Sequence, residues 1–181
     1  MTPSTPAEPP VRGERAGRLG RVLAVVAVGS MVALWGYVLF LAVGQGRKPP
    51  PDTLSDPSFG RAAEVRCQAT LDQVAALAPA DSAASPQDRA VVIDDATDLF
   101  TSMVDDLAAM APPGPDGELV TLWVADWRTY LDDRREHTGA LSTGEDRRFR
   151  VSARDGDHIT KYLDAFAADN HMPACGSPLD V

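Results

Sequence analysis

The chain has 181 residues, two of them Cys, with 17 Lys and Arg set against 26 Asp and Glu for a net charge of −9. Eleven of the basic and 24 of the acidic residues lie beyond residue 48. That part is therefore strongly acidic, which argues against duplex nucleic acid as a partner, because binding it depends on neutralising phosphates with cations, and against attraction to an anionic bilayer surface.

Residues 1–21 hold Pro3, Pro6, Pro9 and Pro10 among small and charged residues, a composition that predicts a flexible tail. Residues 22–43, VLAVVAVGSMVALWGYVLFLAV, carry no charge. At about 1.5 Å of rise per residue the run matches a hydrocarbon core of roughly 30 Å, so it predicts a transmembrane helix seated in the lipid bilayer. Arg12, Arg15, Arg18 and Arg21 precede the run and only Arg47 and Lys48 follow it closely. The positive-inside bias then puts the N-terminus in the cytoplasm and the rest of the chain outside the plasma membrane. A cleaved signal peptide is the competing reading, but its apolar core is usually about 7 to 15 residues, and Ala42-Val43-Gly44 is the only loose cleavage site. Gly29, Ser30 and Gly36 offer small residues for close packing with another helix; ordinary glycine usage in membrane helices is the simpler account. Residues 44–56, with Gly46, Pro49, Pro50 and Pro51, read as a semi-extended spacer.

The remainder, 57–181, is one domain's worth of chain and reads as all-α. Asp56 and Pro57 form a helix start signal, after which Phe59, Ala63, Cys67, Leu71, Val74 and Leu77 recur at three- and four-residue steps until Pro79. Ser85 and Pro86 repeat the start signal, and Val92, Ala96, Leu99, Phe100, Met103, Val104, Leu107 and Met110 form the clearest amphipathic stripe, ended by Pro112, Pro113 and Gly114. A third helix is expected over 117–141, with Leu119, Leu122, Trp123, Trp127, Tyr130 and Leu131 as its apolar set. A fourth begins near Asp157, carries Ile159, Tyr162, Leu163 and Phe166, and stops before Pro173. Between them, Phe149 and Val151 alternate with polar residues over 147–153; the segment is too isolated to make a sheet and is expected as a loop that packs two apolar side chains. Four such helices with short connections imply a four-helix bundle-like domain.

Cys67 and Cys175 both fall on the side predicted to be outside, where an even pair in one domain reads as a disulfide; two unpaired buried thiols are the alternative. The bond would pin an otherwise poorly anchored C-terminal segment to the first helix of the domain.

Motifs that carry chemistry are sparse. The doublets Asp94-Asp95, Asp105-Asp106 and Asp132-Asp133 point about 100° apart on a helix and read as solvated faces, although Asp94 and Asp98 share one. His137, His158 and His171 are scattered and lack the one-turn spacing of zinc hydrolases. No Ser-centred elbow, phosphate loop or Cys-x-x-Cys occurs, so neither a cofactor nor a metal site is expected. Two groups remain as a candidate binding patch. Trp123, Trp127 and Tyr130 lie along one helical side; they fit core packing, or, if exposed, a partner's hot spot. Arg147, Arg148, Arg150 and Arg154 form a basic island that fits internal pairing with the acidic helices, or docking of an anionic ligand such as a phosphate-bearing wall polymer.

Trp123-Val-Ala-Asp-Trp-Arg-Thr-Tyr-Leu-Asp-Asp-Arg134 and Phe166-Ala-Ala-Asp-Asn-His-Met-Pro-Ala-Cys175 resemble the small single-pass exported membrane proteins of high-GC Gram-positive bacteria, a group without an assigned activity. The resemblance implies an envelope protein with one anchor and a helical outer domain, and it assigns no catalytic residues. The leading expectation is a membrane-anchored binding or scaffolding module that meets another envelope protein or a wall component. The alternatives are an envelope enzyme that gathers His137 or His158 with carboxylates, and an accessory subunit held through its membrane helix at Gly29 and Gly36.

Overall fold

The computed structural model describes residues 14–44, 50–178 and 180, with side chains described for 23–39, 50–178 and 180. It divides into two units, 1–48 and 49–181. The first contains helix α1, Glu14–Gly44. Residues 14–21, expected in the flexible tail, instead continue this helix, since each residue added to an existing helix gains a hydrogen bond without a new nucleation step; residues 1–13 lie outside the described ones. Every placed side chain of α1 is exposed, Val25 at 72% and Trp35 at 59% among them. No helix among the described residues is long and apolar enough to cross a membrane. Of the expected 22–43 span, residue 22 and residues 40–43 lie outside the described side chains.

The second unit is built from α2 (Ser58–Val74), α3 (Pro86–Ala109), α4 (Pro115–Ser142) and α5 (Ile159–Asp169), with a two-stranded hairpin, β1 (Ala153–Arg154) and β2 (Asp157–His158), before α5. The helical fold with one disulfide is thus present. The start signals act as their chemistry requires. Asp56 accepts the Ser58 N–H at 2.8 Å, and the Ser85 hydroxyl accepts the Asp88 N–H at 3.1 Å while donating to the Asp88 carboxylate at 2.7 Å. α2 stops at Val74, short of Pro79, because the chain tightens into three-residue turns from Ala76 to Leu77 ahead of a proline that disfavours helical geometry in the residue before it.

Residues 50–56 belong to the domain and not to a spacer; 45–49 lie outside the described residues. Leu54 is buried, its N–H donates to Asn170 Oδ1 at 2.8 Å, and Asn170 Nδ2 donates to the Asp52 carbonyl at 3.0 Å. Asp116, in the first turn of α4, accepts the N–H groups of Ser55 and Asp56 at 3.0 and 3.1 Å, which holds its carboxyl below the usual carboxylate range. One buried leucine and two side chains with complementary bonding capacity suffice to dock this proline-rich segment.

α3 and α4 form the most extensive helix pair. The bridges Arg128–Asp105, Arg135–Asp98 and Arg135–Asp94 step in opposite directions along the two helices, so the pair is antiparallel. α2 lies against α3, and α5 against α4. The tight contact of α2 with the end of α5 requires Gly60, where a Cβ would come within 2.4 Å of the Asn170 carbonyl oxygen. The Cys67–Cys175 disulfide, with Cα atoms 5.2 Å apart, joins α2 to the 3-10 turn Pro173–Cys175.

The hairpin departs from expectation. The pairs Ala153–His158 and Arg154–Asp157 are closed by Asp155 and Gly156, both at positive φ (51° and 87°). An Asp-Gly pair is the preferred sequence for such a two-residue turn. The stretch before it, with Phe149 and Val151 packed on the core, is a loop as anticipated.

At the centre, Arg134 is fully buried. Its guanidinium holds the Asp180 carboxylate through Nη1 at 2.6 Å and Nη2 at 2.9 Å, and its Nε donates to Thr97 Oγ1 at 2.9 Å. It also lies 5.1 Å from the Phe100 ring centre. Asp180→Asn should lower stability by about 3 kcal/mol in denaturant melts, because removing one partner strands a buried charge. The paired change Arg134→Met with Asp180→Leu should lose less than the single one.

Candidate functional site

The expected aromatic stripe is core, not surface. Trp123, Trp127 and Tyr130 are exposed by 2% or less, because α4 turns this side toward α3 and α5. Phe166 stacks on Trp123 at 5.1 Å, Trp123 meets Trp127 edge-on at 6.4 Å, and Trp127 meets Tyr130 edge-on at 5.8 Å. Tyr130 in turn contacts Phe149 at 5.8 Å, and Phe149 contacts His137 at 5.4 Å. Such aromatic pairs contribute about 0.5–1.5 kcal/mol each beyond area burial. The three residues of the proposed patch are therefore unavailable to a partner, and burial pushes the Tyr130 hydroxyl pKa up.

The arginine island divides. Arg154 is structural: it bonds Asp126 at 2.5 Å and lies 3.6 Å over the Tyr162 ring. Burial pushes the Asp126 carboxyl up, and the Arg154 charge offsets part of that effect. Arg147 pairs with Glu136 at 2.8 Å. Arg147 and Arg148 line a cavity of about 910 Å³, and they share a smaller one of about 200 Å³ with Arg150.

The larger cavity is enclosed by the end of α2, the turn after it, one side of α3, His137 of α4 and the loop around Phe149. Its volume falls in the usual range for small-molecule sites, about 300–1,000 Å³. Val74, Leu77, Val92, Ile93, Ala96 and Phe149 provide apolar wall. The polar groups are Arg89, His137, Arg147 and Arg148 together with Asp81, Asp146 and Asp180. Asp146 is held by Arg89, and Asp180 by Arg134.

His137 is 6% exposed and its Nδ1 has no hydrogen-bond partner; the buried Nε of Arg89 has none either. Burial, reinforced by the nearby Arg89 and Arg147 charges, lowers the His137 pKa, so the folded protein holds a neutral imidazole. Among the described hydrogen bonds none joins His137 to a carboxylate.

The other candidates are dispersed. His158 precedes the first turn of α5 without a side-chain capping bond, and His171 follows its end in an exposed position. Asp94 and Asp98, four apart on α3, are both taken by Arg135. Among the described residues no group of three or more His, Cys, Asp and Glu could hold a metal ion. Arg89, Asp146 and Asp180 carry the cavity's charge pattern but belong to no motif; the spacing of Tyr130, Arg134 and His137 puts them on one side of α4 without showing that this side is buried.

No protein-family profile, curated protein or solved structure matches this chain.

Acidification should destabilise the fold through His137. The unfolded chain takes up a proton near the ordinary value of about 6.5, while the folded imidazole resists it. Its contribution is therefore complete above pH 6.5 and is lost as the pH falls through the lowered folded value. Thermal melts between pH 7.5 and 5.5 should show a smaller drop in Tm for His137→Phe than for the wild type; equal drops would place the imidazole in contact with water.

Proposed function

We propose that this chain is a single-pass, membrane-anchored binding module of the cell envelope. The apolar run 22–43 holds it in the plasma membrane with the N-terminus in the cytoplasm, and the helical domain stands outside, where it captures a ligand. The Cys67–Cys175 disulfide carries this reading, because such bonds form and persist in oxidising compartments. The arginine bias before the run favours the same orientation. The apolar, outward-facing side chains of α1 support the anchor, since a helix apolar all round needs either a protein interior or lipid around it.

Binding is favoured over catalysis by the cavity itself, in which an apolar wall and surplus hydrogen-bond donors accompany an imidazole that no carboxylate orients. The ligand enters there, since the aromatic stripe is buried.

Both native cysteines are fully buried, so orientation is best read from new thiols. Asp95, exposed on α3, and Ser4 in the N-terminal segment are each replaced by Cys and treated with a membrane-impermeant maleimide. Asp95→Cys should label in intact cells and Ser4→Cys only after lysis. The reverse pattern, or labelling of Asp95→Cys only after lysis, would overturn the outward domain.

A further inference from the structure

The cavity beside His137 has an imbalance that narrows what it can hold. Its acids are largely committed: Asp146 to Arg89, and Asp180 to both terminal nitrogens of Arg134. Only Asp81, exposed on the turn after α2, has no such partner among the described contacts. The donors are not balanced in the same way. Arg89 keeps a buried Nε–H without an acceptor, His137 keeps a buried Nδ1 without a partner, and Arg148 lines the cavity without an ion pair among the described residues. Buried polar atoms are ordinarily paired, and an arginine nitrogen can only donate. Arginine donors in the lining therefore favour a ligand group that is an acceptor. The nearby guanidinium of Arg148 favours one that carries negative charge.

The rest of the lining has different chemistry. Val74, Leu77, Val92, Ile93 and Ala96 present aliphatic surface, and Phe149 adds an aromatic ring. A small hydrophilic anion would leave this surface unused, and a cation would meet Arg89, Arg147 and Arg148. The volume, about 910 Å³, accommodates a ligand with a substantial apolar body.

We infer that the cavity binds a carboxylate carried on an apolar body, an acyl-chain acid in its simplest form. The carboxylate lies at Arg148, and the chain runs along the aliphatic lining that includes Val74 and Ile93. This assignment rests on the binding-module reading and gives it a ligand class. Arg148, exposed at the cavity, supplies both the charge and the donors for the carboxylate. The aliphatic wall supplies affinity in proportion to chain length.

The test is calorimetric titration of the full chain in lipid nanodiscs with octanoate, decanoate and dodecanoate, each below its micelle-forming concentration and with empty discs subtracted. Affinity should rise about fifteenfold for each two added methylenes, the factor that corresponds to burying them. Arg148→Ala, at an exposed loop position, should weaken decanoate about tenfold. Val92→Trp should abolish its binding by filling the wall, with the far-UV spectrum and melting of that variant checked in parallel. Decylammonium, with the same chain and the opposite charge, should not bind. Decanoate heats no larger than those of empty discs, decanoate affinity unchanged by Arg148→Ala, or decylammonium binding as tightly as decanoate would each overturn the assignment. Absent decanoate binding would leave the thiol-labelling result untouched, and reversed labelling would leave the titration untouched, so the two readings fail separately.

Discussion

The domain is organised around a buried guanidinium. Arg134 lies inside the α3–α4 pair, where an unpaired charge would be prohibitive, and its neutralising carboxylate comes from Asp180, almost the last residue of the chain. The C-terminal segment is therefore part of the core's electrostatics. Supporting bonds follow the same path: Asp164 holds the Ser177 N–H at 2.7 Å, Tyr130 donates to the Pro178 carbonyl at 3.2 Å, and Glu64 takes the Ala174 N–H at 2.9 Å. The disulfide closes this arrangement covalently from the α2 side. In chain-entropy terms a crosslink closing a loop near 100 residues contributes up to about 4.7 kcal/mol by restricting the unfolded state. The arginine acts differently, by making one placement of the tail electrically acceptable.

The cavity is a consequence of that packing. α4 carries one continuous inward face, Trp123, Trp127, Tyr130, Arg134, His137 and Leu141. Its first half meets the bulky side chains of α5 and the middle of α3, and the space fills. Toward its C-terminal end the opposing α2 has already stopped at Val74, and only a short turn and the Phe149 loop remain to cover α3. The gap left there is bounded by Asp180 and by His137, so the element that stabilises the core also forms one wall of the candidate site.

The ionic pattern separates structural from available charge. Arg135 joins Asp94 and Asp98, Arg154 joins Asp126, and Arg66 joins Asp106. These pairs contribute modestly where they are exposed, but with those of Arg89, Arg128, Arg134 and Arg147 they take most of the domain's arginines out of play. Arg148 and Arg150 are left on the cavity side of the molecule without ion pairs among the described residues. In so acidic a domain that local donor surplus is the feature most readily tied to an anionic ligand.

Helix existence was legible in the sequence because capping residues, prolines and three- and four-residue spacing act locally: Ser85 with Pro86 and the stripe from Val92 to Leu107 lead directly to α3. The cysteine pair was legible for a compartmental reason. The Asp155-Gly156 turn was equally local, yet the expectation for that region weighed only the alternation before it. What the sequence could not decide was the fate of residues whose role depends on distant partners. A helical periodicity places Trp123, Trp127 and Tyr130 on one side without saying whether that side faces protein or water. Arg134 and His137 continue the same side, but their charge and polarity read as surface until Asp180 and the Phe149 loop are brought against them. Leu54 and Asn170 lie 116 positions apart, and their contact turns a proline-rich spacer into domain. Secondary structure follows from neighbours in the chain; burial, ion pairing and the cavity follow from neighbours in space, and only the tertiary structure supplied those.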